Sequence, residues 1–157
     1  MAITAKRNQQ EYVLHPEGGP YPAVVSKLGL HENMQTQFGL KDRVQITFET
    51  SLRARDHIEG IEDNSPLTIS MFCNNNLNDR SRLLDLVTQQ IPKEQLLQLL
   101  NEENGEIDLE GLLVGTQWLI VVEHTESNGT TYANIKSAMR APADQQLVIW
   151  GEGALAY

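Results

Sequence analysis

The sequence predicts a mainly β fold: a five-stranded antiparallel barrel with a helical insertion between its third and fourth strands. Three observations carry this expectation. Two segments, RVQITFET and LTISMF, alternate apolar and polar residues with the period of two that a half-buried strand requires. The spacing changes to that of a helix around RSRLLDLVTQQ, and Asn128–Gly129 between two later runs supplies the positive-φ residues of a tight hairpin.

Taken in order, residues 1–20 are polar and end in HPEGGPYP, which continues neither helix nor strand and reads as a mobile arm and a turn. From Tyr21, YPAVVSKLGL is β-branched and apolar enough for a first strand, with Gly29 as its expected bend; HENMQTQFGLKD is then a connection. Val44, Ile46 and Phe48 mark the buried side of strand two. A long charged loop, SLRARDHIEGIEDNSP, leads to strand three, where Leu67, Ile69 and Met71 alternate with Thr68 and Ser70. After CNNNLND and a capping residue, Leu83, Leu84 and Val87 share one helical face, and Pro92 opens a second helix, KEQLLQLLNEE, that stops near Asn104 and Gly105. DLEGLLVG, the strand GTQWLIVVEH, the ESNGTT turn and the strand TYANIKSAM complete the order. Five strands with helices between the third and fourth is the OB-fold arrangement, which presents strands two and three and its loops to oligonucleotides or oligosaccharides. The division expected is an arm over 1–20, the barrel over 21–140, and a tail over 141–157 whose LVIW run could cover a barrel edge or pair with another subunit as a homo-oligomer.

A chain of 157 residues, 40% hydrophobic, suits one core. Its longest apolar stretch, Trp118 to Val122, is far short of the ~20 residues that span a bilayer, and MAITAKRNQQ has no apolar signal core, so a cytoplasmic protein without a membrane partner is expected. The lone Cys73 forms no internal disulfide. A net charge of −9 weighs against binding phosphate, but it is unevenly placed: residues 1–60 carry seven basic and seven acidic side chains, residues 61–157 five and fourteen. Glu102, Glu103, Glu106, Asp108 and Glu110 concentrate the acid, as a solvated helix end or as a surface for a basic partner.

YPAVVSKLGL, FGLKDRVQITFET, NNNLNDRSRLLDLV, DLEGLLVGTQWLIVVEH and NGTTYANIKS together resemble the OB-fold single-stranded-DNA-binding-like proteins encoded in phage and prophage replication regions. The likeness covers roughly residues 21–139 and lies in the order of the motifs: an FG-x-K turn before strand two, a polar-Leu-x-x-L helix after strand three, and Leu-Leu-Gly and Gly-x-x-Tyr-Ala-x-Ile flanking strand four. The chain departs in reading Leu112, Leu113, Val114, Gly115, and in a tail, ADQQLVIWGEGALAY, unlike the acidic partner-recruiting end of bacterial single-strand-binding proteins. The resemblance implies protection of single-stranded DNA in phage replication, recombination or repair, inside the bacterial host cell.

A non-specific single-strand site needs cations along the backbone and flat side chains for the bases. Lys41 and Arg43 flank the start of strand two, and Arg53, Arg55 and His57 are expected in the loop beyond its end; the competing reading pairs these cations with Asp42, Asp56 and Glu59. Phe38 in the first loop and Phe72, on the face of Thr68 and Ser70, are the stacking candidates. Tyr132 and Lys136 share a face of strand five, whereas Phe48 and Trp118 belong to the core. His15, His31, His57 and His124 have no short metal-ligand spacing, and neither a phosphate loop nor a nucleophile elbow occurs, so no catalytic centre, metal or cofactor is expected. Two rival readings remain: an acidic module that binds a replication or host-defence protein, and an enzyme using dispersed carboxylates.

Overall fold

The computed structural model describes residues 14–36, 39–53, 65–78, 80–102, 105–142 and 144. Its elements are β1 (Gly18–Thr36), β2 (Gly39–Arg53), β3 (Pro66–Asn74), α1 (Arg82–Thr88), α2 (Lys93–Glu102), α3 (Leu109–Leu113), β4 (Gln117–Ser127) and β5 (Thr130–Arg140). The five strands form one antiparallel sheet in the order β3-β2-β1-β4-β5. The sheet is not closed: the two outer strands approach each other, but among the described residues no ladder joins β3 to β5.

The alternation of β2 and β3 is realised in the structure. Val44, Ile46 and Phe48 face Cys73, Met71 and Ile69 across the ladder and are buried with them, while Gln45 lies opposite Phe72 and Thr47 opposite Ser70 on the outer side. Phe48 and Trp118 meet edge to face in the core, with ring centroids 6.3 Å apart, and the indole Nε1 donates to Thr116 Oγ1 at 2.7 Å. Leu83, Leu86, Val87, Leu96 and Leu113 from the three helices close the same core. Ser81 caps α1, its hydroxyl accepting from Leu84 N at 3.0 Å; Pro92 O accepts from Leu96 N at the start of α2; and Gly105 follows α2 at φ 83°. DLEGLLVG, to which the sequence pattern gives no element, holds the short helix α3, which Asp108 caps by accepting from Gly111 N.

β1 differs most from expectation. It starts at Gly18, ahead of Tyr21, and runs on through HENMQT, so that it and β2 form a long hairpin instead of two strands with a loop. Gly29 keeps regular register opposite Gln45. The bends lie elsewhere, where β1 carries an extra residue at Ser26 and again between His31 and Met34. Gly19 is required at the entry: its φ is 117°, and a Cβ there would stand 2.6 Å from Ile120 O. Ahead of it His15 is buried, its Nε2 2.8 Å from Thr50 Oγ1, and its carbonyl accepts from His124 Nε2 at 2.8 Å, tying the approach to β1 onto β2 and β4. At the other end Asn128 and Gly129, with φ of 51° and 79°, make the expected hairpin turn.

The open side of β5 is served by α1 in place of a strand. Arg82 Nη2 donates to Ile135 O at 3.0 Å, Gln89 Nε2 donates to Ala138 O at 3.2 Å, and Arg140 N donates to Gln89 Oε1 at 2.9 Å. No helix among the described residues is long and apolar enough to cross a membrane. The LVIW run of the tail lies outside the described residues.

Candidate nucleic-acid interface

The pleat of β1, β2 and β3 brings His31, Arg43, Gln45 and Phe72 together on the outer face of the sheet. Arg43 is opposite His31 in one ladder and Gln45 opposite Phe72 in the other. His31 meets the Phe72 ring edge-on at 5.4 Å, and its Nε2 is 2.8 Å from Gln45 Oε1. The Arg43 guanidinium lies over the same ring, 5.6 Å from its centroid, and its Nη2 donates to Phe72 O at 3.2 Å. Its buried Nε has no hydrogen-bond partner, so the protein does not saturate this guanidinium.

Beside Phe72 opens a cleft of about 480 Å³, lined by Arg43, Asn76, Asn78, Arg80 and Arg82. Three arginines therefore line one cleft beside a half-buried aromatic ring, with the Arg43 guanidinium over the ring itself and that of Arg82 bonded to Ile135 O. Cys73 lines the cleft as well, and its thiol lies within reach of two of these charges. Burial pushes it above the usual thiol range, while the charges of Arg82 and Arg43 pull in the opposite direction. Arg80 takes a positive φ of 71°, uncommon for a long side chain.

No protein-family model matches the chain, and no curated protein matches it. The chemistry of the site therefore rests on its own residues.

Of the residues singled out in the sequence, the fold joins Arg43 and Phe72. Lys41 is exposed two residues before Arg43 on β2, opposite Met34 in the outer part of the hairpin. Asp42, which the competing reading pairs with these cations, accepts from Asn33 N through Oδ1 at 3.0 Å. Lys136 is exposed on β5 at the register shift, directly after the residue whose carbonyl holds Arg82. Tyr132, half exposed, stands near the β4–β5 turn opposite Thr125, apart from the cleft-lining residues. Arg53 is a correction: it closes β2 and is 5% exposed, with its charge acting on Glu49, and is not displayed on an open loop. Phe38, Arg55 and His57 lie outside the described residues.

His31, Asn76, Arg80 and Arg82 are not among the binding residues that the sequence singles out. Their signal is present in NNNLNDRSR, where two arginines follow an asparagine run, but by itself that run reads only as the approach to a helix cap. Among the described residues no three His, Cys, Asp or Glu side chains gather as a metal site.

Proposed function

We propose that this chain binds single-stranded DNA with low sequence preference through the outer face of β2 and β3 and the cleft beside Phe72. The observation that carries the reading is that Arg43, Arg80 and Arg82 line one cleft beside Phe72, with Arg43 over its ring, in a molecule whose net charge is −9. Such a cluster collects self-repelling charge, which phosphate would relieve. Arg43 stacked over Phe72 makes a flat, cationic platform that a base can extend, and the asparagines and arginines around it offer donors suited to the backbone. Stacking and phosphate contact do not read base edges, hence the low sequence preference.

In this reading the sheet is an OB-type barrel left partly open between β3 and β5. The strand order, the approach of the two outer strands and the α1 bonds along β5 support it. Strands two and three are the usual oligonucleotide face of that fold. The setting follows the resemblance to phage and prophage replication proteins: covering the strand during replication, recombination or repair.

The test is fluorescence anisotropy with a labelled dT strand of ~30 nucleotides against duplex of the same length, at low and moderate salt. The expected result is saturable single-strand binding that salt weakens and that Arg43→Ala with Arg80→Ala weakens further. Absence of single-strand binding at low salt would overturn the proposal.

A further inference from the structure

β1 loses its second neighbour halfway along. Its ladder with β4 ends at Val24 opposite Gln117, and the last bonds on that side are Val25 N to Thr116 O at 3.1 Å and Gly115 N to Val25 O at 2.8 Å. From Lys27 to His31 the strand pairs, among the described residues, only with β2. In an antiparallel ladder every second residue then turns its N–H and C=O outward, away from β2.

This edge opens onto a groove of about 620 Å³ that shares Asn76 and Asn78 with the arginine cleft. Leu28 and Leu30 line it from β1, and Leu77, Leu100 and Ile107 line it from the facing segments; Leu30 is 55% exposed. Glu106, Asp108 and Glu110 supply its charge, and no lysine or arginine is among the described residues that line it.

From these features we infer that the β1 edge at Lys27–His31 is a docking site for an extended, basic peptide segment of a partner protein. The segment adds as a strand to β1, places alternate apolar side chains against the leucines, and sets lysine or arginine against Glu106, Asp108 and Glu110. Backbone bonds provide affinity in this mode of recognition, and pockets for every second side chain provide selectivity. Nucleic acid does not fit, because the carboxylates repel phosphate. A second copy of this chain would bring the same acidic rim against its own.

This inference does not rest on the DNA-binding proposal, and its experiment needs no DNA. The probe is a fluorescein-labelled peptide of about ten alternating leucines and lysines, with two controls: glutamate in place of lysine, and N-methylation of alternate backbone amides. Saturable binding to the full-length protein is expected, lowered at least about tenfold by N-methylation and by Glu106→Gln with Glu110→Gln, but not by Glu94→Gln on α2. With unlabelled peptide, amide NMR signals of Lys27–His31 should shift and their exchange slow. The inference is overturned if the N-methylated peptide binds as tightly, if the shifts fall elsewhere, or if sedimentation finds a dimer that already occupies this edge.

Discussion

Phe72 is half buried, so its ring can be removed without opening the core beneath Cys73 and Met71. Phe72→Ala should lower single-strand affinity by the worth of one stacked base, about 1–3 kcal/mol, while thermal stability changes little; anisotropy and a melt on the same sample check both. Arg80 offers a second separation of binding from stability. Its φ of 71° strains a residue with a Cβ, which Gly would relieve at some cost in unfolded-chain entropy. Arg80→Gly should therefore leave the melting temperature unchanged or raised, yet weaken DNA binding, as expected where strain is kept for function. Glu49, on the outer side of β2, is pushed above the usual carboxylate range by burial, an effect the nearby Arg53 charge partly reverses. Because the folded value is raised, the protonated form is favoured by folding. That contribution is fully present below the unfolded value and is lost as pH rises through the folded one. Melts of Glu49→Gln across the acidic range should match wild type at the lowest pH and exceed it as Glu49 ionises.

At the scale of elements, β3 and the Val44–Phe48 part of β2 are readable in the sequence because each keeps the period of two, the two longer helices because their leucines share a face, and the hairpin because Asn128–Gly129 suits its turn. β1 keeps no single period. Ala23 and Val25 point into the core, but Leu28, the partner of Ile46, packs against it too, so the inward positions pass from odd to even across Ser26. YPAVVSKLGL thus shows no alternation although each half alternates, and Gly29 draws the expected bend to itself because glycine is the commoner mark of one. The arginine cleft is hidden for a different reason: Arg80 and Arg82 follow β3 in a loop, and nothing local in NNNLNDRSR says that they fold back beside Phe72. The phase change makes a prediction. Ser26→Ala removes one hydroxyl bond, to Thr47 O at 3.2 Å, and should cost about 1 kcal/mol. Deleting Ser26 moves Leu28 to the wrong face and should destroy the cooperative urea transition.

For the whole molecule, counting charge along the chain assigns Arg80 and Arg82 to the acidic half, yet the fold carries them across to Arg43 of the neutral half. The result is a small cationic cleft on a body of net charge −9. Under the DNA-binding proposal, Arg80→Gln with Arg82→Gln should reduce the slope of log affinity against log salt by about 1.4, or about 0.7 for each phosphate of a single strand that is no longer neutralised. The same cleft on the same body has a consequence for timing. At ~0.01 M salt, where the screening length is about 30 Å, an approaching strand meets the repulsion of the entire molecule before it feels the arginines; at ~0.1 M that length shrinks to about 10 Å and only the cleft's neighbourhood matters. Stopped-flow mixing should then show encounters becoming faster as salt is first added, even while each complex becomes shorter-lived, so that the speed of capture and the strength of holding peak at different ionic strengths.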